Sequence, residues 1–302
     1  MGCDEPLTAY FGNEVNPATG KRPMVFDIRR AHSPVPVKLP CQRCIGCRLE
    51  HSRQWAMRCM HEKRMHDESC FLTVTYNDAN LPTGGTLVRS DPQLFLKRLR
   101  TALAPKRFRF YGCGEYGGQT LRPHYHILIF GHDFTDKKFY KMTDRGERLY
   151  TSAFVEKQWG KGFNVIGDVT FKSCAYVSRY VTDKITGDDA ERHYTKITAD
   201  GEVVPILPEF SMMSRNGGIG ASWFDKFGKH AYQFDSVVMN EREVRPPRFY
   251  DTRYAALDSM HMAELKLVRR RKAMANRADN TSARRHVKEE VLRLNLVGKK
   301  GV

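Results

Sequence analysis

The apolar and polar positions of this chain fall into a few clear rhythms. Phe71-Leu72-Thr73-Val74-Thr75-Tyr76 is a β-rich run closed by Asn77-Asp78, which predicts a strand. Phe108 to Cys113 and His124 to Phe130 predict two more, joined by a Gly-rich loop from Gly114 to Gln119. Phe163 to Phe171 reads as a further strand. Ser90-Asp91-Pro92 supplies a capping side chain, an acid and an early proline, and Phe95, Leu99 and Leu103 follow four apart on one helical face. Residues 48–66 predict an earlier helix, and Ser173 caps a later one running to about Ile185. Residues 1–40 are broken by Pro17, Pro23, Pro34, Pro36 and Pro40 and read as an irregular arm. A β-α-β-β-β-α order with a central hairpin predicts an α+β fold, an antiparallel sheet with helices on one face.

Charge adds a ligand class. The 302 residues hold 50 Lys+Arg against 34 Asp+Glu, a formal +16, which points to a polyanion, nucleic acid before anionic membrane. No apolar run approaches the roughly 18 residues that span a bilayer, so no membrane role is expected. The first residues lack the blocks of a signal peptide, and Pro6 stands where a myristoylation site wants Ser or Thr. Eight cysteines without export signals suggest a reducing compartment, where clustered thiols favour metal over disulfides. Net charge is +5 over residues 1–65, +6 over 66–187, −3 over 188–260 and +8 over 261–302. The organisation expected is therefore an arm (1–40), a Cys-rich segment and helix (41–66), a core (67–187), an accessory region (188–260) and a basic, helical C-terminal tail broken near Asn280 (261–302).

Candidate chemistry gathers in the core. In a strand, His124 and His126 project to one face while Tyr125 points to the other. Glu115, nine residues upstream at the exit of the preceding strand, is brought back towards them by a hairpin. Two imidazoles and one carboxylate leave coordination positions open, which suits catalytic Mg²⁺ or Mn²⁺ better than closed structural zinc. Tyr176, Tyr180 and Lys184 lie four apart along one helical stripe, and Val177, Val181 and Ile185 form a second stripe that can seat the helix on the sheet. A tyrosine attacks a phosphodiester when a cation polarises the phosphate and offsets the developing charge. Each feature has a plainer reading: surface histidines, a solvated acid, tyrosines edging a core. Upstream, Cys41, Cys44 and Cys47 need a fourth ligand for tetrahedral zinc, for which Cys59 is the candidate, with His51 and His61 as alternatives. Unligated packing thiols are the other reading. Cys70, Cys113 and Cys174 sit among apolar positions and read as core thiols.

Together these residues resemble a family. His124-Tyr125-His126 matches the His-hydrophobic-His motif of HUH endonucleases, Phe71 to Tyr76 resembles their first motif, and Tyr176-x-x-x-Tyr180 resembles the two-tyrosine motif of rolling-circle initiators. More narrowly, Pro40 to Arg48, Arg53 to Ala56, Cys113 to Gly117 and Pro246 to Asp251 resemble replication initiators of gokushovirus-type microviruses, phages with circular single-stranded DNA. The resemblance implies an HUH/RRM-like palm, metal on Glu115, His124 and His126, nucleophiles at Tyr176 and Tyr180, and a cation at Lys184. Relatives often carry consecutive lysines after the second tyrosine, where this chain has Asp183 before Lys184. It further implies site-specific nicking and rejoining of single-stranded DNA at a viral origin on a circular genome, host helicase and polymerase as partners, and the host bacterial cytoplasm as location. The alternatives are an HUH transposase or relaxase, and a non-catalytic zinc-stabilised DNA-binding or packaging protein. Relaxases usually place their tyrosine near the N-terminus, whereas here the tyrosines follow the histidines.

Overall fold

The computed structural model describes the chain except residues 1, 19, 119, 184–188, 198–199 and 301–302, and describes backbone alone for residues 180–183, 189 and 296–300. It divides into two compact units, residues 1–50 with 264–302 and residues 51–263. In the first, β1 (Leu7–Phe11) pairs antiparallel with β2 (Met24–Val25) and β3 (Val37–Leu39), so the arm read as irregular carries a small sheet. Pro23, Pro36 and Pro40 bound β2 and β3 and keep them short, because proline cannot donate to a ladder. The helix α1 (Ile45–Lys63) starts three residues earlier than its periodicity suggested.

The second unit is organised by one sheet. Its chain order is β4 (Ser69–Thr75), α2 (Ser90–Ala102), β5 (Arg109–Tyr116), β6 (Pro123–Phe130), β7 (Lys138–Met142), β8 (Arg148–Thr151), α3 (Ala153–Trp159), β9 (Asn164–Gly167) and α4 (Phe171–Asp183). Then come α5 (Asp189–His193), β10 (Thr195–Ile197), β11 (Val203–Pro205), β12 (Phe210–Met213), α6 (Ala221–Gln233), β13 (Val237–Met239), β14 (Arg242–Val244) and α7 (Arg248–Leu257). Seven strands pair antiparallel in the order β12-β5-β6-β4-β9-β8-β7. The α+β class is as the sequence suggested, but helices cover both faces of the sheet. Phe95, Leu96 and Leu99 of α2 and Val155 and Trp159 of α3 bury Leu72, Val74, Tyr125, Ile127 and Ile129 on one side. Ala56 and Cys59 of α1 and Cys174 and Val177 of α4 bury Tyr111, Cys113, Leu128 and Phe130 on the other. Period-2 alternation alone cannot show this, because both sets of positions in these central strands are apolar.

Local signals moved by small amounts. Ser90 is the first helical residue of α2 and makes no cap; Asp91 instead turns inward and accepts from Tyr76 Oη at 2.6 Å. In α4 the cap is Thr170, and Ser173 is its reciprocal partner: Ser173 N donates to Thr170 Oγ1 at 3.1 Å and Thr170 N to Ser173 Oγ at 2.8 Å. The strand expected over 163–171 is only β9, since α4 already begins at Phe171. At the C-terminal end, α8 (Ser259–Ala275) and α9 (Ser282–Lys300) are parted by a 3₁₀ turn, Arg277–Asn280, where the break was expected.

Candidate active site

β6 lies inside the sheet, between β4 and β5, so each of its residues from His124 to Phe130 has a cross-strand neighbour on each side. Register sets Glu115 of β5 directly opposite His124, and Thr73 of β4 directly opposite His126. Directly paired residues share a face, so Glu115, His124, His126 and Thr73 converge beneath α4. Tyr125 points to the other core, where its hydroxyl meets Tyr76 Oη at 2.9 Å and donates to Val88 O. Glu115 therefore belongs to a strand rather than to a loop exit, and it is only 3% exposed. Gly112 is what permits the tight pairing here, for a Cβ on it would lie 2.6 Å from the His126 carbonyl oxygen.

The side chains are joined by short contacts. His126 Nε2 lies 2.6 Å from Glu115 Oε1, and Tyr176 Oη donates to that same oxygen at 3.2 Å. His126 Nδ1 sits 2.8 Å from Thr73 Oγ1, a hydroxyl able to donate or accept and so to serve either tautomer. His124 Nδ1 is 2.6 Å from the Arg122 carbonyl oxygen and must donate to it, which leaves Nε2 with its lone pair. Burial holds the His124 imidazole below its ordinary pKa, so it is neutral at pH 7. The two imidazole planes are parallel within 5°, with centroids 6.3 Å apart, and the Tyr176 ring stands edge-on to His126 at 5.2 Å. Phe71 packs against both His126 and Tyr176, at 5.6 and 6.4 Å.

The donor types, one carboxylate and two imidazoles, are ones that divalent cations accept. Glu115 Oε2 is buried without a hydrogen-bond partner, a costly condition for a carboxylate oxygen that a cation relieves. Each histidine has Nδ1 engaged by an oxygen, which orients Nε2 in the way bound imidazoles are usually held. Among the described residues, the group of three or more side chains placed to share one ion is the four cysteines Cys3, Cys41, Cys44 and Cys47.

Residues 69–185 match the family model described as replication-associated protein ORF2/G2P. The stretch runs from the start of β4 to just beyond α4 and contains Glu115, His124, His126 and both tyrosines of the helical stripe. The replication-associated protein VP4 of Bdellovibrio phage phiMH2K is 33% identical over 264 residues, covering 84% of this chain and 77% of VP4. The chain belongs to the microvirus-type replication-associated proteins. Replication-associated protein ORF2 of Spiroplasma virus 4 is 29% identical over 71% of this chain and 67% of its own length. ORF4 of Chlamydia phage 1 is 29% identical over 70% of this chain, which spans about half (52%) of that protein. No solved structure matches the chain.

Within this replication-associated protein, the residues expected at the site separate into groups. Glu115, His126 and Tyr176 touch one another, with His124 beside them. Tyr180 lies one turn further along α4, but its side chain, like all of Lys184, falls outside the described residues. So do the side chain of Val181 and all of Ile185; among the described side chains of α4, Cys174, Val177 and Ser178 are fully buried and seat the helix. Thr73 and Phe71 are site residues that sequence reasoning passed over. The signal was available, because a strand antiparallel to β6 puts its alternate residues on the histidines' face. The Arg53–Ala56 and Pro246–Asp251 motifs meet in packing: Arg58 lies between the Trp55 and Phe249 rings, and Arg248 N donates to Gln54 Oε1.

The cysteines require a correction. Cys41, Cys44 and Cys47 do cluster, but with Cys3 rather than Cys59. Cys59 is fully buried in the sheet's second core, packed with Cys174. His51 accepts from Trp55 Nε1 at 3.2 Å, and His61 is stacked on Trp223, so neither alternative joins the cluster. Cys70, Cys113 and Cys174 are core thiols as expected.

Proposed function

We propose that this protein initiates rolling-circle replication by nicking and rejoining single-stranded DNA at a viral origin through a 5′-phosphotyrosine intermediate. One observation carries the reading: the oxygen of Glu115 that accepts from Tyr176 Oη also lies against His126 Nε2. A candidate nucleophile and a candidate metal-binding pair thus share an atom. The proposed ligands are Glu115, His124 and His126, and a bound Mg²⁺ or Mn²⁺ would supply charge neutralisation at the scissile phosphate.

The protein's own groups account for the remaining steps. Tyr176 Oη forms a bond to phosphorus as the bond from phosphorus to the 3′ oxygen breaks. The phenolic proton passes to Glu115 Oε1, and the leaving 3′ oxygen takes a proton from water to become a free 3′-OH. The phosphotyrosine keeps the bond energy, so a 3′-OH can later displace the tyrosine and reseal the strand. Tyr180, a turn away on the same stripe, takes the second transfer while the first tyrosine holds its 5′ end. Thr73 and Phe71 fix the His126 ring, Lys184 contributes a cation, and the tail supplies salt-dependent affinity for a circular genome. Origin nicking also implies a host helicase and polymerase downstream and places the reaction in the host bacterial cytoplasm.

The test is cleavage of an origin oligonucleotide with Mg²⁺ or Mn²⁺. His124→Ala with His126→Ala should abolish it. Undiminished cleavage by that double variant would overturn the metal assignment.

A further inference from the structure

We infer that Cys3, Cys41, Cys44 and Cys47 form a tetrathiolate zinc site that clasps the N-terminal segment to the start of α1 and seats the basic helix α9. The four-thiolate site rests on geometry alone; only the choice of zinc over iron rests on the function proposed above. All four sulfur atoms lie within 4.8 Å of one another, and Cys3 Sγ and Cys44 Sγ are 3.8 Å apart. Zinc–thiolate bonds of about 2.3 Å in a tetrahedron put sulfur atoms about 3.8 Å apart, whereas a disulfide needs about 2.05 Å. The spacing is that of ligands around one ion. All four are free cysteines.

The backbone is arranged for thiolates. Cys41 N donates to Cys3 Sγ at 3.2 Å, and Arg43 N and Cys44 N donate to Cys41 Sγ at 3.5 and 3.3 Å. Asp4 N and Cys47 N donate to Cys44 Sγ at 3.3 and 3.4 Å. Such N–H groups stabilise sulfur carrying negative charge and hold ligands in place. Four soft ligands in a tetrahedral arrangement select zinc or iron. Zinc is favoured because nothing in the reaction proposed above transfers electrons.

The clasp reaches the C-terminal helices. Asp4, next to Cys3, accepts from Gly46 N through Oδ2 at 3.0 Å, and its carbonyl oxygen accepts from Arg285 Nε of α9 at 3.1 Å. Gly46 is required for this approach, since a Cβ there would fall 2.6 Å from Gly2 O. A metal that fixes Cys3 therefore also holds the neighbouring Asp4 carbonyl to which Arg285 of α9 donates.

The full-length protein, purified without chelator, should contain one zinc per chain by elemental analysis. X-ray absorption at the zinc edge should show four sulfur neighbours at about 2.3 Å. A mercurial reagent should release that zinc, and trypsin should then cut within residues 264–302 faster than in the untreated protein. Cys3→Ser should lose zinc on dialysis, while Cys70→Ser keeps it. Absence of zinc, iron in its place, nitrogen or oxygen ligands, retention of zinc by Cys3→Ser, or unchanged proteolysis after release would each overturn the proposal. The absorption spectrum needs no variant, so it decides the ligand set even if Cys3→Ser fails to fold.

Discussion

Lowering the pH from 7.5 to 5 should cost this protein about 2 kcal/mol of stability through one imidazole. His61 of α1 is wholly buried, stacked on Trp223 at 3.6 Å and 9°. Its Nδ1 lies 3.0 Å from Tyr250 Oη, and its Nε2 has no hydrogen-bond partner. Burial, reinforced by the positive charge of Arg64, lowers its pKa from 6.5 to about 3. An unfolded His61 takes up a proton below 6.5, while the folded one refuses it until about 3. Its contribution is therefore complete above pH 6.5 and is lost progressively as the pH falls towards 3. At pH 5, about 1.5 units below the unfolded value, the loss is about 2 kcal/mol. Urea unfolding of the wild type and His61→Phe between pH 7.5 and 5 measures it. Phenylalanine keeps the stack and loses the Tyr250 hydrogen bond, a pH-independent offset of about 1 kcal/mol. Burial also lowers the pKa values of His51, His124 and His132, but these groups are present in both proteins. The stability difference between wild type and variant should thus move by about 2 kcal/mol against the wild type. A difference that stays flat across this range would refute the reasoning.

Three further outcomes are expected. Thr73→Val, which removes the partner of His126 Nδ1, should raise the Mn²⁺ concentration needed for half-maximal cleavage about 10- to 100-fold, and Thr73→Ser should restore it. Gly112→Ala pushes a methyl group against the His126 carbonyl and should cost about 1–3 kcal/mol in urea unfolding, with lower cleavage at every metal concentration. Replacing Arg269, Arg270, Arg271 and Lys272 with glutamine should lower the salt slope of single-stranded DNA binding by up to about 3, at roughly 0.7 per phosphate contact. An unchanged slope in a binding titration would remove the tail from the DNA contact.

Much of the candidate site could be read from the sequence because it depends on short-range periodicity. A period of two puts His124 and His126 on one face whatever surrounds them, and a period near 3.6 puts Tyr176 and Tyr180 on one stripe. The partners that complete the site depend on register and on distant parts of the chain. Thr73 meets His126 only because β4 pairs with β6 in one particular register. Cys3 joins Cys41 across 38 residues, a closure that no local pattern announces. Cys59 was the nearer candidate in sequence, but α1 intervenes: twelve helical residues beyond Cys47 carry it about 18 Å along the axis. Helices on both faces of the sheet were likewise hidden, because a doubly buried strand has no polar side to betray its orientation.

The central claim is that a tyrosine of α4 becomes covalently attached to DNA. Incubating the protein with an origin-containing single strand and Mn²⁺, digesting it and mapping the adduct by mass spectrometry tests this directly. The account predicts a 5′-phosphonucleotide on the peptide carrying Tyr176 and Tyr180, absent from the Tyr176→Phe, Tyr180→Phe double variant. Cleavage without an adduct, or an adduct on any other residue, would contradict it.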